Sequence, residues 1–239
     1  MSKVRYKNKR TKNNIVFSIA GAHGVGKSTI VNLMKQKYEN NKKFKFFPER
    51  YVKNPPFPFG STNKQIAFRS EIHFLQQLIR RNRNVVNFDN KYKGKILILD
   101  RTPICVLIYS KSLYLKEKDF QLIYDTYKSI KWREDYVIYL TATIETILKR
   151  IIQRGSLEKI RREWNETERD YLNDILINYK KYLLNSEEYK NKVFVIDTDS
   201  KTPEQVVNEI ESIITRISGY EFDKTIKQPP TQMSILKFL

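Results

Sequence analysis

A glycine-rich octapeptide is the segment of this chain whose residue types and spacing most directly support chemistry. Gly21-Ala22-His23-Gly24-Val25-Gly26-Lys27-Ser28 fits the pattern G-x-x-x-x-G-K-[ST] at every fixed position. The apolar run at 15–20 predicts a buried strand before it, and the apolar spacing over 27–39 predicts a helix after it. In such a unit, backbone N–H groups and the positive end of the helix dipole surround a polyphosphate. The segment therefore predicts a nucleoside triphosphate site.

Individual side chains of this loop have separate expected roles. Lys27 is predicted to reach the β- and γ-phosphates of ATP, and the Ser28 hydroxyl to bind Mg²⁺. Thr29 continues the cofactor-binding segment, whereas His23 occupies a variable position and is expected to be a loop side chain rather than a catalyst. The alternative, a glycine-rich turn that binds nothing, is disfavoured because the complete motif lies between a strand and a helix.

Two acid–arginine pairs follow predicted strands. Asp100 ends the third predicted strand, where P-loop enzymes carry an acid that helps to hold Mg²⁺, and Arg101 follows it directly. Glu49 and Arg50 follow the second predicted strand. Because the carboxyl ends of parallel strands line one crevice, we expect both pairs to face the glycine-rich loop.

In that crevice the pairs suit a phosphoryl transfer. Glu49 is expected to accept a proton from an attacking hydroxyl group, while Arg50 and Arg101 bind the phosphoryl acceptor. Asp197 also ends an apolar strand, but Asp100 is the preferred metal ligand because Arg101 stands beside it. The alternatives are a capping role for Asp100 and a surface ion pair for the Glu49-Arg50 segment.

Arg150 and Arg154 are four residues apart on a predicted helix and therefore share one of its faces. Arginines that close over a transferred phosphoryl group neutralise its charge, and we expect this catalytic role for both. A solvated basic face is the alternative.

Alternating strands and helices position these residues. Strands are predicted at 15–20, 44–47, 95–100, 135–141 and 193–196, and helices at 27–39, 63–88, 103–131 (one or two), 144–153, 165–184 and 203–217. This order predicts an α/β fold, a five-stranded parallel sheet flanked by helices in three layers, as in P-loop NTPases, with a lid around 155–163. We expect a basic N-terminal arm over 1–14, one domain over 15–219 and a flexible tail over 220–239.

The composition limits the class of protein further. The formal net charge of +19 arises from 45 basic and 26 acidic residues, and it favours polyanionic partners or, alternatively, reflects a lysine-rich genome. The basic arm is a candidate for nonspecific nucleic-acid contact. The single cysteine, Cys105, excludes a disulfide framework, and no apolar run approaches the ~20 residues that span a bilayer. We expect a soluble, intracellular protein without a membrane partner.

Over residues 15–218 the chain resembles the deoxynucleoside kinase and thymidylate kinase superfamily. The motifs that carry the resemblance are Gly21–Ser28, Pro48-Glu49-Arg50, Asp100-Arg101-Thr102, Leu148–Gly155 and Asp197-Thr198-Asp199. The resemblance implies that Glu49 is the general base or an acid that positions the acceptor, that Arg101 binds substrate and transition state, and that Arg150 and Arg154 belong to the lid. It also implies that Asp197, Thr198 and Asp199 form the turn that holds the adenine of ATP.

One departure concerns the acceptor. Deoxynucleoside kinases read the base with a glutamine on the long helix, where this chain has Phe68-Arg69-Ser70. Arg69 in the acceptor pocket would suit a phosphorylated or polymeric substrate as well as a nucleoside. The hypotheses are therefore a deoxynucleoside or nucleotide kinase, a polynucleotide 5′-hydroxyl kinase of DNA repair, and a non-catalytic NTP-binding or DNA-binding module.

The last eight residues match the peptide that binds the PCNA sliding clamp, Q-x-x-[ILM]-x-x-[FY]-[FLY]. Gln232 is expected to fix one end by hydrogen bonds, while Ile235, Phe238 and Leu239 fill an apolar pocket from one side of a helical turn. The resemblance implies recruitment to the clamp in an archaeal cytoplasm or a eukaryotic nucleus. The alternative is a terminus that packs on its own domain.

Overall fold

The computed structural model describes residues 13–49, 57, 60–153 and 166–222. The strands are β1 (Ile15–Ala20), β2 (Phe44–Phe47), β3 (Ile96–Asp100), β4 (Tyr136–Thr141) and β5 (Val193–Asp197). The helices are α1 (Lys27–Tyr38), α2 (Lys64–Lys91), α3 (Cys105–Ser112), α4 (Glu117–Ser129), α5 (Ile144–Gln153), α6 (Arg169–Tyr179) and α7 (Pro203–Ser218). A π turn, Lys180–Leu184, extends α6, and a short 3₁₀ turn, Glu187–Tyr189, follows it.

The five strands form one parallel sheet in the order β2-β3-β1-β4-β5, which confirms the predicted fold class. From β1 the chain moves to β2 and β3 on one side and then to β4 and β5 on the other. In such sheets a ligand crevice lies where the strand order reverses, beyond the carboxyl ends of the strands. Here that point is the end of β1, from which the glycine-rich loop leads into α1.

The central strands are apolar on both faces because helices cover both faces of the sheet. Every residue of β3 is buried, as are Val16 to Ala20 of β1. Near-continuous apolar runs of this kind are typical of covered parallel strands, which is why their positions could be predicted from the sequence.

The structure also refines several predicted boundaries. The helix α2 reaches Lys91, three residues beyond the predicted end, and α3 and α4 are two separate helices. The rings of Tyr220 and Phe222 pack against Phe44, so the folded unit continues a few residues past the predicted boundary at 219. None of the helices within the described ranges is long and apolar enough to cross a membrane.

Candidate active site

The loop between β1 and α1 has the backbone of a phosphate cradle. Gly21, Gly24 and Gly26 all adopt positive φ, and Gly26 immediately precedes α1 at φ 106°. A Cβ atom on Gly21 would collide with the backbone oxygen of Leu140 on β4, so only glycine fits there. The loop is thereby held against the sheet, and its amides lead into the amino end of α1.

Lys27, the first residue of α1, is only 6% exposed. Its Nζ donates hydrogen bonds to the backbone oxygens of Gly21 (2.9 Å) and Ala22 (2.8 Å). Burial, and secondarily the nearby charge of Arg101, lower the pKa of Lys27 to about 7. The loop carbonyl groups thus hold the Lys27 ammonium group in a position where burial disfavours its positive charge. An anion bound next to it would favour that charge.

Glu49, Asp100 and Arg101 converge beside Lys27 from two different strands. Arg101 Nε lies 2.6 Å from Glu49 Oε1, and both side chains are mostly buried, at 13% and 7% exposed. Asp100 Oδ1 and Glu49 Oε2 are buried without a hydrogen-bond partner in the described part of the chain. Burial, and then the negative charge of Glu49, raise the pKa of Asp100. The structure therefore brings together the acids and cations that were predicted at the strand ends.

Arg101 has an unusual backbone conformation that a second arginine supports. Its φ is 73°, in the left-handed region that residues other than glycine rarely adopt. The buried guanidinium group of Arg81, on α2, donates hydrogen bonds to the backbone oxygens of Asp100 and Arg101, the latter at 2.8 Å. The Arg101 guanidinium carbon also lies 5.4 Å from the Phe74 ring centroid and 5.8 Å from that of Tyr109. This arginine is thus fixed through both its backbone and its side chain.

On the other side of the glycine-rich loop, Arg150 connects the loop to the turn after β5. It donates to Thr198 O (2.5 Å), Thr198 Oγ1 (2.9 Å) and Val25 O (3.2 Å). These residues border a cavity of about 320 Å³, whose lining also includes Gly26, Thr29, Gln153, Lys201, Pro203 and Val206. The cavity adjoins the phosphate cradle and can accommodate the base and sugar of a nucleotide.

In the turn after β5, Asp197 and Asp199 have a different structural role from Thr198. Asp199 accepts hydrogen bonds from the Thr143 backbone N–H at 2.9 and 3.1 Å, and Asp197 Oδ1 accepts one from Asp199 N. The acids therefore shape the turn, and within the predicted Asp-Thr-Asp segment it is Thr198 that lines the cavity.

Other predicted residues lie away from this centre or outside the described ranges. Ser28 is exposed at the start of α1. Arg69 is exposed on α2 and thus does not share the buried face of that helix. Arg50, Arg154 and the clamp-binding residues Gln232, Ile235, Phe238 and Leu239 lie outside the described residues, as does the basic arm before residue 13.

Sequence reasoning missed the burial of one acid and the contacts of the loop histidine. Glu71 is a buried acid on α2, and burial raises its pKa to about 8 against the opposing effect of Arg101. His23 contributes its backbone N–H to the Tyr109 hydroxyl (3.0 Å), and its ring stacks on Tyr171 with centroids 5.8 Å apart. The missed signal for Glu71 was an acid among the apolar residues at 67, 74, 75 and 78, one face of the helix.

Comparison with known proteins assigns the family. Residues 17–219 match the model of the family described as deoxynucleoside kinase. The chain belongs to the deoxynucleoside kinase family. It is accordingly an ATP-dependent kinase, and its sheet and phosphate loop are those of a P-loop kinase.

Two curated relatives from Bacillus subtilis (strain 168) are similar over nearly their full length. A deoxyadenosine/deoxycytidine kinase is 25% identical over 212 residues, which cover 84% of this chain and 94% of the relative. A deoxyguanosine kinase is 25% identical over 197 residues, covering 80% and 89%. Both relatives are 25% identical to this chain and they are named for different nucleosides, so their names do not indicate one base.

Solved structures of a deoxyadenosine kinase from M. mycoides share the fold. The structure with products dCMP and a flexible dCDP bound superposes with a TM-score of 0.68 at 22% identity, covering 84% of this chain and all of the other. The structure with bound dATP gives a TM-score of 0.67 at 23% identity, with the same coverage.

Proposed function

We propose that this kinase transfers the γ-phosphoryl group of ATP to the 5′-hydroxyl group of a deoxynucleoside. The observation that carries the proposal is the Glu49–Arg101 ion pair, 2.6 Å between the nearest atoms, at the strand ends beside Lys27. It supplies an acid that can accept a proton and a cation that can neutralise a phosphoryl group. Membership of the family and the nucleoside names of the relatives support the same acceptor class.

Glu49 is the proposed base. As the acceptor hydroxyl oxygen forms its bond to the γ-phosphorus and the bond to ADP breaks, the hydroxyl proton passes to the Glu49 carboxylate. Oε1 of Glu49 is engaged by Arg101, whereas Oε2 has no hydrogen-bond donor among the described residues and is the oxygen available to accept the proton. Arg101 orients Glu49 and directs its remaining N–H groups towards the transferred phosphoryl group.

ATP is proposed to occupy the loop and the adjoining cavity. Lys27 exchanges its two carbonyl partners for phosphate oxygens, which restores the charge that burial disfavours. The adenine enters the cavity between Arg150 and Thr198. Arg150 is thus assigned to the nucleotide pocket, and Arg154 remains the predicted lid arginine that neutralises the moving group.

Mg²⁺ fits the residues that face the phosphates. Asp100 has a buried oxygen without a hydrogen-bond partner among the described residues, and the exposed Ser28 hydroxyl stands at the start of α1. No group of three or more His, Cys, Asp or Glu side chains that could hold a metal occurs within the described ranges. Mg²⁺, held by Ser28, Asp100, phosphates and water, would supply charge neutralisation between the β- and γ-phosphates. This ligand set agrees with the preference of Mg²⁺ for phosphate and water ligands.

Recruitment to a PCNA clamp and contact of the basic arm with nucleic acid remain predictions from the sequence. Phe238→Ala in the full chain should abolish co-elution with a PCNA clamp, since Phe238 is predicted to fill the apolar pocket together with Ile235 and Leu239. Persistent co-elution would contradict the assignment of the peptide.

The kinase proposal is tested by transfer of labelled γ-phosphate from MgATP to the four deoxynucleosides, their monophosphates and a 5′-hydroxyl oligonucleotide. Glu49→Gln is expected to lower kcat for the deoxynucleoside ~10²–10⁴-fold, because the amide cannot accept the proton. Glu39→Gln, an exposed acid directly after α1, is the matched control. Label on the oligonucleotide alone would replace the proposal with a polynucleotide kinase, and an unchanged kcat in Glu49→Gln would contradict the assignment of the base.

A further inference from the structure

Lysine side chains are concentrated at the amino edge of the sheet, where the strands begin. They lie just before β2 and β3 or at the second position of β2, and we call this set the basic patch: Lys42, Lys43, Lys45, Lys91, Lys93 and Lys95. The candidate active site lies beyond the carboxyl ends of the same parallel strands. The basic patch and the active site are therefore on opposite edges of the sheet.

Contacts between side chains and backbone join the parts of the patch. Lys95 Nζ donates a hydrogen bond to Lys42 O at 2.7 Å, which connects the segments before β3 and β2. Lys45 Nζ lies 5.8 Å from the ring centroid of Phe88, on α2, and the ring centroids of Phe88 and Tyr92 are 4.6 Å apart. The two segments and the end of α2 therefore form one continuous surface.

Much of the charge on this surface is not neutralised by the protein itself. Three exposed lysines of the patch form no ion pair with a carboxylate group of the described residues: Lys42, Lys45 and Lys91. Two acids nearby, Asp89 and Asp135, are paired instead with Arg133, at 2.8 and 2.6 Å. Cations grouped in this way repel one another, and a polyanion bound across them removes the repulsion.

An aromatic ring is exposed among these lysines. Tyr92, directly after α2, is 42% exposed, and Lys91 Nζ lies 5.4 Å from its ring centroid. Proteins that hold single-stranded nucleic acid combine cations that contact the phosphates with aromatic rings on which unpaired bases stack. A lipid headgroup or an acidic peptide supplies the negative charge but has no base to stack. The ring thus favours one class of polyanion over the others.

We propose that the basic patch binds single-stranded nucleic acid, with its lysines on the phosphates and a base stacked on Tyr92. Because the patch is on the opposite edge of the sheet from Glu49, the strand is a tether for the kinase and not its phosphoryl acceptor. The basic arm joins the domain here, since the Asn14 side chain donates to Tyr92 O (2.6 Å) and accepts from Lys95 N (2.7 Å). The arm therefore continues from the patch along the chain and adds cations for the same strand.

The test is binding of the full chain to a single-stranded oligothymidylate with fluorescein on its 5′ end, measured by anisotropy over a range of KCl concentrations. The dye blocks the 5′-hydroxyl group, so the probe cannot act as an acceptor. In Lys42→Gln/Lys45→Gln/Lys91→Gln, the loss of three phosphate contacts should make the slope of log affinity against log[KCl] shallower by about 2. If the two proteins bind equally at ~1 M salt, this variant binds about 100-fold more weakly at ~0.1 M.

A second triple variant controls for overall charge. Lys116→Gln/Lys118→Gln/Lys180→Gln removes the same charge from exposed positions in the first turn of α4 and directly after α6. Charges at a distance from the strand are screened by salt, so this variant should retain the affinity and the salt slope of the unmodified protein.

The ring is tested separately from the charges. Tyr92→Leu keeps an apolar side chain but removes the stacking surface, and it should weaken binding at least about fivefold. Tyr114→Leu is the matched control, because Tyr114 is 67% exposed and lies beside Lys64, at the other end of α2 and about 40 Å from Tyr92. It should bind as the unmodified protein does.

Several outcomes would overturn the inference. An unchanged salt slope in the patch variant would show that the strand binds elsewhere, and an equal loss in the second triple variant would show that binding follows net charge alone. Normal binding by Tyr92→Leu would reject single-stranded nucleic acid in favour of a partner recognised by charge, such as an anionic membrane, which vesicles containing phosphatidylserine would identify. Deoxynucleoside phosphorylation should be unaltered in all four variants, so the inference and the proposed function fail independently.

Discussion

Arg81 offers the sharpest test of how the fold positions the site. Its guanidinium group, 4% exposed, donates to the backbone oxygens of Asp100 and Arg101. These two residues carry the proposed metal ligand and the partner of the base. We predict that Arg81→Met lowers both the stability of the protein and its kcat, because the turn that presents Arg101 loses its support.

The magnitude follows from the two hydrogen bonds and the backbone conformation. Hydrogen bonds from charged donors contribute about 1.5–3 kcal/mol each, and their loss leaves two carbonyl groups without these donors. The left-handed backbone of Arg101, at φ 73°, costs about 1–2 kcal/mol. The turn can recover this energy by relaxing when the Arg81 hydrogen bonds are absent. We therefore expect the free energy of unfolding to fall by about 1–5 kcal/mol in Arg81→Met.

Relaxation of the turn is what links stability to catalysis. A displacement of catalytic groups by about 1 Å is sufficient to reduce a rate ~10²-fold. Arg81→Met should show a loss of this order in kcat, with KM for ATP little changed, because the nucleotide cavity is lined by other elements. Arg81→Lys, which can retain one of the two hydrogen bonds, should fall between Arg81→Met and the unmodified protein in both quantities.

Urea unfolding and steady-state kinetics at low temperature measure the two effects separately, with Arg80→Met, the exposed neighbour, as the control. The reasoning is refuted if Arg81→Met unfolds more easily but keeps its kcat, because Arg81 would then stabilise the fold without positioning Arg101. A fall in kcat matched by an equal rise in KM for ATP would show damage to the nucleotide site instead.

Three further predictions concern the site and residues around it, including Glu134, which accepts a hydrogen bond from the Thr102 hydroxyl group next to Arg101. Burial raises the pKa of Glu134 to about 7 from about 4.5, so the folded state binds more protons and its stability falls as pH rises through this window. Glu134→Gln should therefore raise the free energy of unfolding by at most about 3 kcal/mol at pH 8 and little at pH 4.5, and equal effects at both pH values in urea unfolding would be inconsistent with this. Arg150→Met removes the contacts with Thr198 that shape the nucleotide cavity, and a loss of about 1.4 kcal/mol in ATP binding should raise KM for ATP about tenfold. A change confined to KM for the acceptor would exclude the cavity as the adenine site. Gly21→Ala should destabilise the protein by about 1–3 kcal/mol in thermal unfolding, since its Cβ meets the Leu140 backbone at a φ of 144°, and an unchanged midpoint would contradict that contact.

The convergence of Lys27, Glu49, Asp100 and Arg101 could be predicted because it depends on local pattern and one rule of topology. Each residue lies at or just after the carboxyl end of an apolar strand, and parallel strands end at the same edge of the sheet. Apolar runs predict the positions of the strands, and therefore also predict which polar residues lie at the carboxyl edge of the sheet.

The residues of α2 could not be assigned in the same way. Whether Arg69 or Glu71 is buried depends on the rotation of the helix about its axis, and an apolar stripe interrupted by an acid is a weak signal for that rotation. Arg81 has carbonyl groups as its partners, which carry no side-chain signature in the sequence. The lid role of Arg150 remains a prediction, whereas its contacts with Thr198 depend on how α5 lies against the turn after β5, which helix spacing does not indicate.

Burial gives the site a property that its separate contacts do not reveal. It lowers the pKa of Lys27 to about 7 and raises those of Asp100 and Glu71, so before substrates bind it disfavours the charged form of each. Phosphates favour the charged form of Lys27, and a metal ion favours that of Asp100. For Glu71, burial raises the pKa and the charge of Arg101 opposes this shift. The same burial that disfavours the charged forms of Lys27 and Asp100 therefore makes both side chains depend on ATP and Mg²⁺ for their charges.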